Sequence, residues 1–216
     1  MSIITDAPPS PGFGAAGQPS PDASARQADA RDRADMERLA AGHEAALNEL
    51  MERHATPVFH FLCRMVGNED DANDLAQETF VRVFKSAKSF RAGERFSTWL
   101  FTIAANLARN HFRWRSRHPN ISLDAENAET EQSLGDTLPA NTPSPKEAAL
   151  AGERAAAVRA AVKNLPEDLR EALVLCEWEE CSVVEAAAIL EATPKAVESR
   201  LYRARGLLRE RLKSWL

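Results

Sequence analysis

Aromatic residues make up only 6% of this 216-residue chain, and Ala and Leu dominate an apolar share of 44%. An apolar set of that kind favours helices, because the aromatic and β-branched side chains that suit a pleated sheet are under-represented. Alternating Val/Ile/Thr runs of strand type are missing. No apolar stretch reaches the ~20 residues a membrane-spanning helix needs, so membrane insertion is not expected. The start, MSIITDAPPS, has neither Lys nor Arg and no long apolar centre. It does not read as a secretory leader, and a cytoplasmic protein is expected. Cys63, Cys176 and Cys181 are too few and too irregularly spaced for a disulfide framework. Neither Cys176 nor Cys181 has an obvious thiolate-stabilising base beside it. His60 and Cys63 share a helical face that His54 does not join cleanly, so no metal is assigned. A glycine-rich phosphate loop and a nucleophile motif are also missing, so no catalytic residue and no cofactor is assigned and an enzyme is not expected.

The chain carries charge in blocks that its net charge of -5 hides. Residues 81–117 hold nine basic side chains against Glu94, a local +8, and residues 195–213 hold seven against two acids, a local +5. Residues 35–80 and 166–192 each sum to -7. Each acidic block thus precedes a basic one, and such patches, not the net charge, set the partners.

Residues 1–35, rich in Pro, Ala, Gly, Ser and Asp, are expected to be a disordered tail. Helical patterning begins near Met36. Residues 117–149 are polar, acidic and contain several prolines, and read as a flexible linker. The expected fold is all-α, with two small helical domains, 36–116 and 150–216, that fold separately.

In the first domain, Ala72, Leu75, Ala76, Thr79, Phe80, Val83 and Phe84 form one helical stripe, with Asp71, Asp74, Gln77, Glu78 and Arg82 opposite. The loop RAGER follows, and Ser97 or Thr98 is positioned to cap a second helix. That helix buries Leu100, Ile103, Ala104, Leu107 and His111 and presents Thr102, Asn106, Arg109, Asn110 and Arg113. Trp99 adjoins the stripe and fits core packing at least as well as a strand-separating wedge, and Phe96 is open. In the second domain, Ser182 and Glu185 have capping-box spacing. Thr193 and Pro194 open a last helix that buries Val197, Leu201, Ala204 and Leu208. A short helix, a tight turn and a longer basic helix make a helix-turn-helix, whose second helix enters the major groove N-terminus first.

Four stretches in this order, DANDLAQETFVRVF, SFRAGERFSTWLFTIAANLARNHFR, LPEDLREALVL and AVESRLYRARGLLRERL, resemble the extracytoplasmic-function (ECF) sigma factors. The resemblance covers about 40–115 and 155–212. It implies a sigma factor with only regions 2 and 4, which binds core RNA polymerase through the β′ clamp and the β flap and directs promoter recognition and transcription initiation. It assigns core binding to Asp74, Leu75, Gln77 and Glu78. It assigns the melted minus-ten strand to Phe90, Arg91, Asn106, Arg109, Asn110 and Arg113, with Phe90 and Asn106 around a flipped base. It assigns the minus-thirty-five duplex to Lys195, Glu198, Ser199, Arg200, Tyr202 and Arg203. The implied partners are core polymerase, single- and double-stranded promoter DNA and an anti-sigma factor. Glu191 stands at the helix-turn-helix corner where the family commonly has glycine. A left-handed residue other than glycine costs about 1–2 kcal/mol, so a differently shaped turn is expected. Glu198 stands where many members are basic, and it either accepts a hydrogen bond from a cytosine amino group or orients Lys195 and Tyr202. The rival reading is a helix-turn-helix regulator that binds duplex DNA without engaging core polymerase, and it leaves 74–115 unexplained.

Overall fold

The computed structural model describes residues 21–91, 93–118 and 145–215, and its regular elements are all helical. The first unit contains α1 (Pro21–Ala40), α2 (Ala45–Val66), α3 (Glu69–Ser86) and α4 (Phe96–Arg117). The second contains α5 (Pro145–Lys163), α6 (Glu167–Glu177), α7 (Val183–Ile189) and α8 (Pro194–Arg211). Among the described residues no helix is long and apolar enough to cross a membrane. Most of the expected linker lies outside the described residues, but its last five, 145–149, already belong to α5.

Local sequence fixes the helix ends. Gly67 closes α2 at φ 71, with its N–H bonded to the Cys63 carbonyl at 2.9 Å. Glycine suits that left-handed position, and a Cβ there would also meet Lys163 Cε at 2.9 Å. Asn68 then caps α3, its Oδ1 accepting from the Asp71 N–H at 2.9 Å, while Glu69, Asp70 and Asp71 oppose the positive end of the helix dipole. The Ser182–Glu185 capping box forms as expected, as do the Thr193 cap and Pro194 in the first turn of α8. Neither Ser97 nor Thr98 caps α4, which begins at Phe96 without a side-chain cap. Burial explains the earlier start: Phe96 is fully buried among Phe90, Trp99 and His54, and hydrophobic packing holds the first turn.

The largest departure is α1. Residues 21–35, expected to be tail, are helical, and Asp32 and Asp35 are buried. Their polar composition suggests a solvated chain, but their partners lie far off in sequence. Arg53 Nε donates to Asp32 Oδ1 at 2.9 Å, Arg53 Nη2 donates to Asp35 Oδ2 at 2.6 Å, and His54 Nε2 sits 2.8 Å from Asp32 Oδ2. Met36 and Leu39 follow into the core, each contributing about 1.5–3 kcal/mol by burial. In α3 the apolar stripe holds except at its end: Ala72, Ala76, Thr79, Phe80 and Val83 are buried, whereas Phe84 is exposed.

The two units pack directly on each other: α4 lies against α7, and the end of α2 against α5 and α6. Their buried apolar residues form one continuous cluster.

Burial alone would raise the Asp32 carboxyl, but the hydrogen bond and charge of His54, with those of Arg53, outweigh it and hold the group below its ordinary 3.8. A depressed carboxyl contributes stability above its unfolded value and loses it as pH falls. Asp32→Ala removes this contribution and strands two partners, so it should cost about 1.5–3 kcal/mol in denaturant unfolding at pH 7. An unchanged midpoint would show that α1 does not support the first unit.

Candidate nucleic-acid interface

Three surfaces carry the residues singled out from the sequence. The first is the outer face of α3. Asp74 and Gln77 are exposed, Glu78 is half-buried and accepts from Arg82 Nε at 2.9 Å, and Leu75 packs on the core. Beside them runs an apolar groove of about 740 Å³ between α2 and α3, lined by Leu47, Met51, Gln77, Phe80, Val81 and Phe84. The exposure of Phe84, which departs from the expected stripe, belongs to this groove.

The second surface is α4 with the loop before it. Phe90 is half-buried, its ring 5.3 Å from Trp99 and 6.1 Å from Phe96. Phe101 is buried, its ring 5.4 Å from that of Phe61. Arg91, Asn110 and Arg113 are exposed. Asn106 and Arg109 are brought together: Arg109 Nη1 donates to Asn106 Oδ1 at 2.7 Å. Arg109 is not free, however. Its Nε donates to Glu171 Oε1 of α6 at 2.8 Å, and its Nη2 lies 3.5 Å from the Ile189 carbonyl at the end of α7.

The third surface is the first half of α8. Lys195, Glu198, Ser199, Tyr202 and Arg203 are exposed, Tyr202 by 82%. Arg200 is half-buried, and it and Arg203 lie 3.8 and 3.7 Å from Asp168 of α6. The turn before α8 is not reshaped: Glu191 takes the left-handed φ of 51. The Ala192 N–H bonds the Ala187 carbonyl at 2.9 Å, and Leu190 is buried, so the surrounding turn imposes the conformation on glutamate.

Sequence reasoning missed the residues that join the second surface to the second unit. Arg170 of α6 is buried and donates to the Met65 carbonyl at the end of α2 and to the Leu165 carbonyl at 2.9 Å. Its guanidinium lies over the Phe112 ring at 5.5 Å. Burial lowers its pKa, and the charges of Glu167 and Glu171 act against that. Glu171 is raised by burial, with the charge and hydrogen bond of Arg109 pulling it back. Glu185 pairs with Arg95, and Glu179 lies 3.5 Å from Arg64. A polar cleft of about 780 Å³ remains between the units, lined by Arg109, Glu167, Asp168, Arg170, Glu171 and Arg200 among others. The one signal in the sequence was the -7 of residues 166–192. The cysteines are not activated: burial pushes Cys63 up to about 11 and Cys181 up to about 12.

Residues 50–118 match the family Sigma-70 region 2, and residues 155–208 match Sigma-70, region 4. The RNA polymerase sigma-H factor of Pseudomonas aeruginosa is 36% identical over 79% of this chain and 88% of its own length. The ECF RNA polymerase sigma-E factor of Haemophilus influenzae is 34% identical over 84% and 95%. This chain is an ECF sigma factor of the sigma-70 family. It directs transcription initiation by RNA polymerase. Two solved structures share its fold. CnrH, in complex with the cytosolic domain of CnrY, superposes with a TM-score of 0.62 at 27% identity over 85% of this sigma factor and 98% of that chain. The sigma factor RpoE of Bartonella quintana, in complex with the anti-sigma factor NepR, gives 0.58 at 25% identity over 77% and 96%.

Glu179 supplies a pH-dependent element of this sigma factor. Burial raises its carboxyl to about 7, and the Arg64 charge only partly opposes that. A raised carboxyl favours the protonated packed form, so its contribution is present below the unfolded value of 4.5 and is lost as pH rises toward 7. Glu179→Gln should therefore flatten the fall in stability between pH 5 and 7.5, with a difference of up to roughly 3 kcal/mol between the two ends. Parallel stability–pH curves for wild type and variant would contradict this.

Proposed function

We propose that the three surfaces divide the work of promoter recognition in sequence order. The outer face of α3, with Asp74, Leu75, Gln77 and Glu78, docks on the β′ clamp of core polymerase. Two exposed polar side chains beside an apolar groove that leaves Met51, Val81 and Phe84 uncovered support this, since carboxylate and amide groups fix register while the groove supplies contact area. The loop at Phe90 and Arg91 and the face of α4 with Asn106, Arg109, Asn110 and Arg113 take the melted minus-ten strand. Asn106 offers an amide to a base edge, Phe90 closes an aromatic cluster against which a flipped base can stack, and the arginines hold phosphates. The first half of α8 reads the minus-thirty-five duplex, with Lys195, Glu198, Ser199, Tyr202 and Arg203 toward base edges and Arg200 toward the backbone.

The observation that carries this reading most directly is the open N-terminal half of α8 behind a correctly formed helix-turn-helix corner, in a chain that also matches region 2. A helix-turn-helix regulator that ignores core polymerase has no use for region 2. An anti-sigma factor is a partner of the same reading: CnrH and RpoE, which share the fold, were solved with CnrY and with the anti-sigma factor NepR. The apolar groove and the basic faces suit an acidic helical partner. The reading is of a cytoplasmic binding protein without catalytic residues.

The test is transcription in vitro with purified core polymerase. Wild type should give run-off product from its promoter. Asp74→Arg with Gln77→Ala should lose core affinity while keeping its helicity. Asn106→Ala should keep core affinity and lose about 1–3 kcal/mol of discrimination at one minus-ten position. Unchanged core affinity in the first variant, or unchanged preference at every minus-ten position in the second, would remove the corresponding assignment.

A further inference from the structure

The helix α1 ends at Ala40, before residues 50–118 that match Sigma-70 region 2, yet it reaches the aromatic cluster beside the loop at Phe90. Its buried Asp32 is held by Arg53, whose Nε donates to Oδ1 at 2.9 Å. The other carboxylate oxygen lies 2.8 Å from His54 Nε2. An ionised carboxylate only accepts, so the His54 nitrogen facing it carries the proton. With that nitrogen fixed, the His54 ring stands edge-on to Phe96, centroids 5.0 Å apart at 65°. Phe96 is fully buried, and its ring lies 6.1 Å from Phe90 and 6.2 Å from Trp99. α1 also packs on the 3-10 turn Ala87–Ser89, and the Ala87 carbonyl accepts from the Phe90 N–H at 3.3 Å. Thus α1 meets both the backbone that leads into Phe90 and the ring stack behind its side chain.

We propose that His54 is a positioning residue of the minus-ten site: its ring, braced by Asp32 of α1, sets through Phe96 where the Phe90 ring stands to receive a flipped base. This rests on the reading of Phe90 as a wall of the base pocket. The His54 side chain is only 16% exposed and acts behind the pocket, not in it. Edge-to-face contacts fix the angle between rings as well as their separation. A fully buried ring in a close-packed interior has little room to absorb a shift, so a change at His54 passes to Phe90 and Trp99. A stacking wall discriminates only while it is held in place. If His54 merely pinned α1 to the first unit, its hydrogen bond would matter and its ring would not.

The experiment is competitive transcription by holoenzyme, assembled from core polymerase and the full chain, on paired templates that differ at one minus-ten position. The product ratio is set within the active population, so a loss of folded protein cancels. Phe90→Ala locates the position at which the pocket discriminates. His54→Gln keeps a donor for Asp32 and removes the ring. It should reduce the preference at that position by about tenfold and leave the other positions unchanged. His54→Phe keeps a ring against Phe96 and removes the donor, so it should lower the melting temperature and keep most of the preference. His54→Leu, with bulk but neither ring nor donor, should lose the preference as His54→Gln does, and it decides the matter if the amide variant does not fold. An unchanged preference in His54→Gln or His54→Leu, or a loss in His54→Phe as large as theirs, overturns the proposal. If Phe90→Ala changes no preference, the pocket reading fails and the proposal falls with it. If Phe90→Ala acts and the Gln and Leu variants do not, the brace alone falls.

Discussion

The arrangement of the two units turns on one buried cation. Arg170 leaves α6, crosses to the first unit and ends against the Met65 carbonyl in the last turn of α2. A guanidinium is expensive to bury, and this one has no carboxylate within hydrogen-bonding distance. It is tolerated because it meets the negative end of a helix, a second carbonyl at Leu165 and the face of Phe112, while its Nε stays unpaired. Because Arg170 and the α2 carbonyl would both regain water if the units parted, their hydrogen bond adds only a modest net gain to the docking.

Around that anchor the charge blocks of the sequence find their use. The acidic block 166–192 supplies Glu171, Glu179 and Glu185, and each meets an arginine of the first unit: Arg109, Arg64 and Arg95. Charge that would repel DNA if it faced outward is turned inward, where it complements the basic helix it covers. The second basic block, on α8, keeps Lys195, Ser199 and Tyr202 open at its N-terminal half, while Asp168 meets Arg200 and Arg203, Glu177 meets Arg205, and the Ala161 carbonyl accepts from Arg211. The same segregation therefore leaves one basic surface open and one covered.

Much of this was legible in the sequence because it is local. Caps at Ser182 and Thr193, the stripes of α3, α4 and α8, and the helix-turn-helix follow from spacing within one or two turns. What escaped is long-range. α1 looks like tail because its one local pair at these aspartates, Arg38 with Asp35, is an ordinary surface spacing, while the partners that hold Asp32 and Asp35 in the core, Arg53 and His54, lie 18 to 22 residues away. Arg170 reads as one more arginine on an acidic helix, since its acceptor is a main-chain carbonyl 105 residues earlier. Glu191 keeps a left-handed turn that its side chain disfavours, because the packing around Leu190 decides the backbone there. Helical periodicity puts Arg109 on the presented face of α4, but the second unit covers it there, through a docking contact that periodicity does not encode.

The most direct measurement is the distance between the two units in the free full-length protein. Nitroxides introduced through unnatural amino acids at exposed Asn73 and Arg209 report it by pulsed electron resonance, without touching the native cysteines. The account predicts one narrow distance distribution for the wild type and a broad, longer one for Arg170→Ala. A broad distribution in the wild type, or a narrow one that survives the loss of Arg170, would contradict it.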